Sequence, residues 1–395
     1  MPFYDGIGVI AEKHAIVLDI GAAFTKVGYV GESTPRAIIR TPYNFDSIEI
    51  TSLYDTLVDF VHKLYFETLL VNPKDRRVVL VESILADTRL KNELVKVLFQ
   101  HFEVLSILFA PSHLMPIFGL GLQNGLVMDV GYNSASVIPI YQGVPILRAW
   151  QALPLGGNAV HQSLRQELSL KGTSKTGEQD FVQIQTETAD DLAENIIEDI
   201  KVRLCFVTSL ERGRQIHQIH QDGSSVAGLS SFLNKSVPPV DYNFEGDTVL
   251  KIDGPTREST CEVLFERDND HLSIPSMILD SLIASPMDTR KELAKNIIMV
   301  GGTSMQRGFK SRIFQELKEI MKEEKYSEKL KVEEFRFHIP LGQENYACWV
   351  GASVFGATDA ISTRSFTREQ YHKEKAVPDW SNLKFNSVYN EDRQG

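Results

Sequence analysis

At 395 residues, 43% hydrophobic and 24% charged, the chain has the composition of an ordinary globular protein and is long enough for two cores rather than one. No apolar run approaches the length that crosses a bilayer, and a net charge of −11 argues against broad binding to nucleic acid or insertion into an anionic membrane. Three widely spaced cysteines (Cys205, Cys261, Cys348), and a start, MPFYDGIGVIAEKH, with no basic segment ahead of an apolar one, read as a cytoplasmic protein without a disulfide frame or secretory leader.

Strand-like and helix-like segments alternate along the chain, which is the pattern of an α/β fold. HAIVLDI and FTKVGYV open it as two strands joined across Asp19 and Gly21. YDTLVDFVHKLYFETLL then places Leu57, Phe60, Val61, Leu64 and Tyr65 at helical spacing, ahead of the strand RRVVLVES. LKNELVKVLFQHF repeats that stripe through Leu90, Leu94, Val97 and Leu98 and leads into the strand LSILFAP. Both stripes read as core packing. GLVMDV and SASVIPIY form a second strand pair across Asp129 and Gly131. Beyond it, the polar segments 171–180 and 221–239 read as surface loops. His217 and His220 sit three apart with no third ligand in view, so they read as a solvated helix face rather than a metal site. SPMDTRKELAKN opens like a helix, with Ser285 as the cap, Pro286 in the first turn and Asp288 at the positive end. NIIMVGG and FRFHIP supply the last strands, and the final twenty residues are polar and expected to be mobile.

The chain also echoes itself. VLDIGAAFTKVGYVG and VMDVGYNSASVIPIYQG share an apolar strand, an Asp, a Gly two positions later and a second strand ending in Gly, which predicts two similar lobes. A single Asp-x-Gly is often no more than a hairpin turn. Two copies, with Gly301-Gly302 at the mouth of a third strand, point instead to a phosphate site. Such turns can aim amide N–H groups at a polyphosphate, Asp19 and Asp129 can hold a divalent ion through water, and Lys26 supplies a point charge. Taken singly, the same residues are turn-stabilising carboxylates and a surface lysine; together they favour a nucleotide cleft.

These residues, with VPIYQG, the LGG at 155–157, EDIKVRLCFV and VGGTSM, resemble actin and the actin-related proteins along nearly the whole chain. FEVLSILFAPSHLMPIFGLG, ILDSLIASPMDTRKELAKN and RRVVLVES are most similar to the branch of that family found at the pointed end of dynactin. The resemblance implies an actin-like ATPase fold of two lobes, each with an RNase-H-like mixed sheet flanked by helices, around a nucleotide cleft. Residues 1–120 with 335–395 would form the first lobe and 121–334 the second. ATP or ADP with Mg²⁺ would be held by Asp19, Gly21, Ala22, Ala23 and Lys26 of the first loop, and by Asp129, Gly131 and Tyr132 of the second. Gly156, Gly157, Lys201, Gly301, Gly302, Thr303 and Met305 would complete the site, with Asp19 and Asp129 touching the metal weakly, through water.

The departures from the family pattern matter as much. Ala22 and Ala23 stand where the family carries a hydroxyl and a glycine, and a lost hydroxyl donor is worth about 1 kcal/mol. Tyr132 and Asn133 replace an Asp and a Gly, Val202 replaces the carboxylate beside Lys201, and Gln306 replaces an aromatic residue. Ser112 and Ser136 fall where actins carry the Gln and His that order the attacking water, and a serine is too short to reach it. Binding without turnover is therefore expected, with no catalytic residue assigned; a cleft without nucleotide is the alternative.

In TPRAIIRTPYNFDSIEITSLYDTLVDF, residues 35–53 are too few for the protruding arm with which actin grips its neighbour. Head-to-tail contacts extend a filament until a subunit lacks one half of the contact, so the resemblance implies a cap. The plainer reading is a trimmed loop on a monomeric nucleotide-binding protein. The implied partners are the actin-like filament subunits of dynactin, the other pointed-end subunits and, indirectly, dynein and cargo adaptors, in the cytoplasmic cytoskeleton. The loops 171–180 and 221–239 are candidates for meeting the other pointed-end subunits. An active ATPase or a sugar-kinase-like phosphotransferase would need a base that Ser112, Ser136 and Tyr132 do not supply. A nuclear chromatin-complex subunit finds no basic localisation cluster in support.

Overall fold

The structure, a computed structural model, describes residues 13–45, 48–176, 181–183, 192–222, 236–244, 246, 248–268 and 271–379. The chain divides into two compact units, Met1–Gly121 with Tyr346–Gly395, and Leu122–Asn345.

The first unit is built on strands β1 (Ile16–Ile20), β2 (Phe24–Tyr29), β3 (Ala37–Arg40), β4 (Arg77–Glu82) and β5 (Ser106–Pro111), with the late strand β16 (Phe366–Thr367) at the edge. Their order is β16-β5-β4-β1-β2-β3. β1 and β2 form an antiparallel hairpin, while β1, β4 and β5 run parallel. Alternation along β1 assigns its two faces. Ile16 and Leu18 enter one core, with Leu57, Phe60, Val61 and Leu64 of helix α1 (Ile50–His62) and its continuation. Val17 enters the other core, beneath Trp349 of the helix Ala347–Gly356. The Trp349 indole N–H donates to the Val17 carbonyl at 3.2 Å. α1 and α2 (Thr88–Lys96) each loosen into a π-type turn, Lys63–Thr68 and Val97–His101, that carries the apolar stripe on.

Only residues 41–49 join β3 to α1. Phe45 in that connection is buried against Phe60, with ring centroids 5.6 Å apart, and Thr41 bonds back to the first hairpin. The protruding arm is thus reduced to a short, anchored link.

After α3 (Met115–Gly119), the second unit adds β6 (Gly125–Val130), β7 (Ala135–Tyr141), β8 (Val144–Pro145), β9 (Gln151–Leu153), α4 (Gly157–Lys171), β10 (Thr173–Thr176), β11 (Val182–Gln183) and α5 (Glu194–Leu204). β12 (Val240–Phe244), β13 (Thr248–Ile252), β14 (Ile297–Val300) and β15 (Phe337–His338) complete its sheets. The main sheet runs β15-β14-β6-β7-β8, and a smaller antiparallel one runs β11-β10-β13-β12. Val160, Leu164, Ile197 and Ile200 of α4 and α5 close over Leu126, Met128 and Val137 of the main sheet.

Several expectations need correction. The polar stretch 171–180 is not all loop: α4 runs to Lys171 and Thr173–Thr176 is a strand paired with β13, while 177–180 lie outside the described residues. Within 221–239, the helix Leu210–Asp222 takes the start and 223–235 lie outside. Of the final twenty residues, 380–395 also lie outside. Ser285 closes the helix Ile274–Ala284 rather than opening the next, because its hydroxyl donates back to the Ser281 carbonyl; Thr289 precedes the helix Arg290–Lys295. The return to the first unit comes at Tyr346, not near Phe335, since β15 pairs in parallel with β14 and the Gly301 amide donates to the Glu344 carbonyl at 2.9 Å. His217 does not sit on a fully solvated face: it is partly buried, 3.5 Å from Glu262, and the His220 side chain lies outside the description.

Candidate nucleotide site

In the first unit, strand register sets Asp19 directly opposite Lys26, and their side chains form an ion pair of 3.1 Å in which each is 15% exposed. The turn between them closes through the Gly21 amide, which donates to the Phe24 carbonyl at 3.2 Å. Thr41 braces it, its hydroxyl donating to the Gly21 carbonyl at 2.7 Å and its amide to the Ala23 carbonyl at 2.9 Å. Ala22 is exposed and Ala23 half-buried, so this turn presents backbone and methyl groups where a hydroxyl would have offered a donor.

The second unit repeats the hairpin in denser surroundings. The Gly131 amide donates to the Ser134 carbonyl at 2.9 Å, closing the turn. α4 begins against it: the Gly157 amide donates to the Gly131 carbonyl at 3.1 Å and the Asn158 amide to the Tyr132 carbonyl at 2.8 Å. A side chain at Gly156 would place Cβ 2.5 Å from the Tyr132 oxygen, so only glycine lets helix and turn approach this closely. Thr303 joins them, its hydroxyl donating to the Gly131 carbonyl at 2.7 Å. Gly301, at φ +94°, passes over the hairpin where a Cβ would lie 2.3 Å from the Val130 oxygen and 2.5 Å from Asp129 Oδ1. The position of Gly157 is crowded as well: an imagined Cβ there would meet the Thr303 hydroxyl at 3.0 Å, the Tyr132 ring at 3.2 Å and Lys201 Nζ at 3.6 Å.

Around that floor runs a charged network. The Tyr132 hydroxyl donates to Glu194 at 2.5 Å, Arg165 donates to the other Glu194 oxygen at 2.9 Å, and His161 lies between Glu194 and Glu198. Lys201 donates to Glu198 at 2.6 Å. Burial raises both carboxyls, but in each case the bonds and charges outweigh it. Glu194 is held at about 2 by Tyr132, His161 and Arg165, and Glu198 at about 2 by His161 and Lys201.

The family model for actin matches residues 50–378. The chain belongs to the actin family. Among its relatives are actin-related protein 10 of Dictyostelium discoideum, 26% identical over 94% of this chain and 90% of the relative, and putative actin-29 of the same organism, 25% identical over 90% and 94%. The α/β architecture, with a mixed sheet in each unit, is that of the family.

As an actin-family chain it brings Asp129, Gly131, Tyr132, Gly156, Gly157, Lys201, Gly301 and Thr303 into one cluster of the second unit, with Gly302 following Gly301 at the end of β14 and Met305 exposed beyond it. Asp19, Gly21, Ala22, Ala23 and Lys26 form the corresponding turn of the first. Gln306 has local work of its own: its amide donates to the Lys201 and Cys205 carbonyls, capping the end of α5. Ser136 is buried on β7 opposite Asp129, and the Ser112 amide bonds the Glu82 carbonyl. Within each unit, a glycine-containing turn with a carboxylate and a lysine beside it has the chemistry of a phosphate-binding turn. Sequence reading missed His161, Arg165, Glu194 and Glu198. Their signal was spacing: an i, i+4 His and Arg pair on α4 facing an i, i+4 pair of glutamates on α5.

Proposed function

We propose that this chain is a non-polymerising structural subunit that caps the pointed end of the actin-like filament of dynactin and so supports dynein-driven transport along microtubules. It holds ATP or ADP with Mg²⁺ and turns it over little or not at all. The observation that carries the cap is the link 41–49, pinned by Phe45, in place of a protruding arm. A subunit so built docks through one pole and offers no standard grip at the other. The likeness to a relative named actin-related protein 10 supports placing it in this branch.

The nucleotide would be held by amides at the tips of the two turns, Ala22–Ala23 and Tyr132–Asn133, because the Gly21, Gly131, Gly157 and Asn158 amides donate to carbonyls within the turns. Lys26 and Lys201 would neutralise its charge, and Asp19 and Asp129 would hold the metal through water. The metal's contribution is to neutralise phosphate charge. Serines at positions 112 and 136 support slow chemistry, since neither can serve as the base or orienting group that water attack requires.

The test mixes the purified chain with actin-like filaments and measures length distributions, alongside a variant carrying a full-length arm inserted between Tyr43 and Asn44, which keeps Phe45 in sequence. The parent chain should shorten and stabilise the filaments, and the armed variant should lose that effect. Filament lengths indifferent to both proteins would defeat the cap, and single-turnover ATP hydrolysis at the rate of an actin filament would defeat the non-hydrolysing reading.

A further inference from the structure

β3 ends the strand order of the first unit's sheet, so its outer edge faces no other strand among the described residues. Two hydrogen bonds fix which of its backbone groups point that way. The Gly21 amide donates to the Phe24 carbonyl within the hairpin, and the Thr41 amide donates to the Ala23 carbonyl beside β2. Antiparallel pairing alternates from there: Thr25 and Val27 turn their backbone groups to β3, while Phe24 and Lys26 turn theirs to β1. On β3, Ala37 and Ile39 therefore bond inwards, and the amides and carbonyls of Ile38 and Arg40 point outwards.

The side chains of the same two residues mark the edge. Ile38 is 41% exposed, and Arg40 is exposed with its guanidinium 5.4 Å from the centre of the Phe24 ring. The neighbouring cations Lys26 and Arg36 are paired with Asp19 and Glu32, whereas no carboxylate among the described residues pairs with Arg40. Sheet edges are commonly blunted by charge or by proline, and Pro35 and Pro42 bracket this one. They keep any added strand short and leave the outward groups of Ile38 and Arg40 in place.

We infer that the β3 edge is a docking site for an extended segment of a partner protein, added antiparallel as one more strand of this sheet. Its backbone exchanges a pair of hydrogen bonds with each of Ile38 and Arg40. Because facing residues on paired strands share a side of the sheet, the segment sets a carboxylate opposite Arg40 and an apolar side chain opposite Ile38. A second copy of this chain is the poorer occupant, since β3 laid against β3 offers Arg40 no carboxylate. Neither nucleotide binding nor capping is required for this docking.

The probe is the peptide acetyl-STETVTTS-amide, whose Glu faces Arg40 and whose Val faces Ile38 on antiparallel addition. Amide hydrogen exchange of the full chain, followed by NMR, should show Ile38 and Arg40 exchanging freely in the chain alone and slowing by about tenfold or more with saturating peptide. N-methylating the peptide's Glu and Val removes two amide donors, keeps both side chains and should weaken binding by about tenfold. Replacing the peptide's Glu by Lys should weaken it by about fivefold, the scale of a cross-strand charge pair, and Arg40→Glu should reverse that preference. A merely structural arginine would not produce the reversal. The proposal is overturned by failure of the peptide to bind, by Ile38 and Arg40 amides already protected in the chain alone, or by binding that leaves their exchange unchanged. Indifference to N-methylation, or a charge preference that survives Arg40→Glu, overturns it too, as does a dimer in sedimentation whose formation protects those amides. Where Arg40→Glu does not fold, the peptide series on the parent chain decides the matter.

Discussion

The turn at Asp19 is held by its own sheet, with Lys26 from the facing strand and Thr41 from just past β3, whereas the turn at Asp129 is gripped by segments far apart in sequence. α4 packs its first amides onto the second turn, Thr303 bonds it from beyond β14, Gly301 crosses it, and Glu194 reaches it from α5. The same Asp-x-Gly hairpin is thus a local device in one unit and the hub of a long-range network in the other. A change at the first should stay near the first, while a change at the second should propagate through its whole unit.

Backbone crowding should separate them most. Gly301→Ala must fit a methyl group at φ +94° within 2.3 Å of a carbonyl oxygen, whereas at Gly21 the nearest atom is the Phe24 oxygen at 2.8 Å and φ is not positive. Denaturant unfolding should show a loss of about 3 kcal/mol or more for Gly301→Ala, and about 1 kcal/mol for Gly21→Ala. Equal losses would erase the contrast.

Acid should come next. Glu194 and Glu198 sit at about 2 in the folded chain, below the ordinary glutamate value of about 4.3. Their contribution is therefore complete above that ordinary value and is lost as pH falls towards 2. Hydrogen exchange between pH 5 and pH 2 should show β6 and β7 losing protection ahead of β1 and β2, and the double variant Glu194→Gln/Glu198→Gln should flatten that loss. Equal loss in both hairpins would argue that the network contributes little.

The smallest effect sharpens the comparison from the other side. Ala22→Ser adds a hydroxyl to the sparsely furnished first turn, and magnesium-ATP affinity should rise by about fivefold, on the order of 1 kcal/mol. Unchanged affinity in titration would mean that this turn does not touch phosphate.

Sequence patterning was a good guide where burial is two-sided. All eight strands read from apolar runs exist, from β1 to β15, and Leu57, Phe60, Val61, Leu64 and Tyr65 do line a core. It failed where the local signal is polar or shared. TSKT forms β10 only because β13 lies alongside, a pairing no local pattern announces. Ser285 has the chemistry of an N-cap and of a helix end, and the preceding carbonyl decides between them. FRFHIP was legible as a strand but not as a neighbour of β14, which is what moves the crossing to Tyr346. At the candidate site the glycines and aspartates stood out by motif. The His161 network did not, because its members are ordinary surface types until two helices bring them together.

Phe45 carries one more consequence. Losing a limb leaves a stump, and a stump with bare oily ends would invite unwanted company. Here the link after β3 tucks the Phe45 ring against Phe60 of α1, which withdraws one aromatic from solvent while Ile38 and Tyr43 stay exposed. Regrowing the limb without keeping that plug would trade a blunt pole for a sticky one, and the result would be clumping rather than orderly growth.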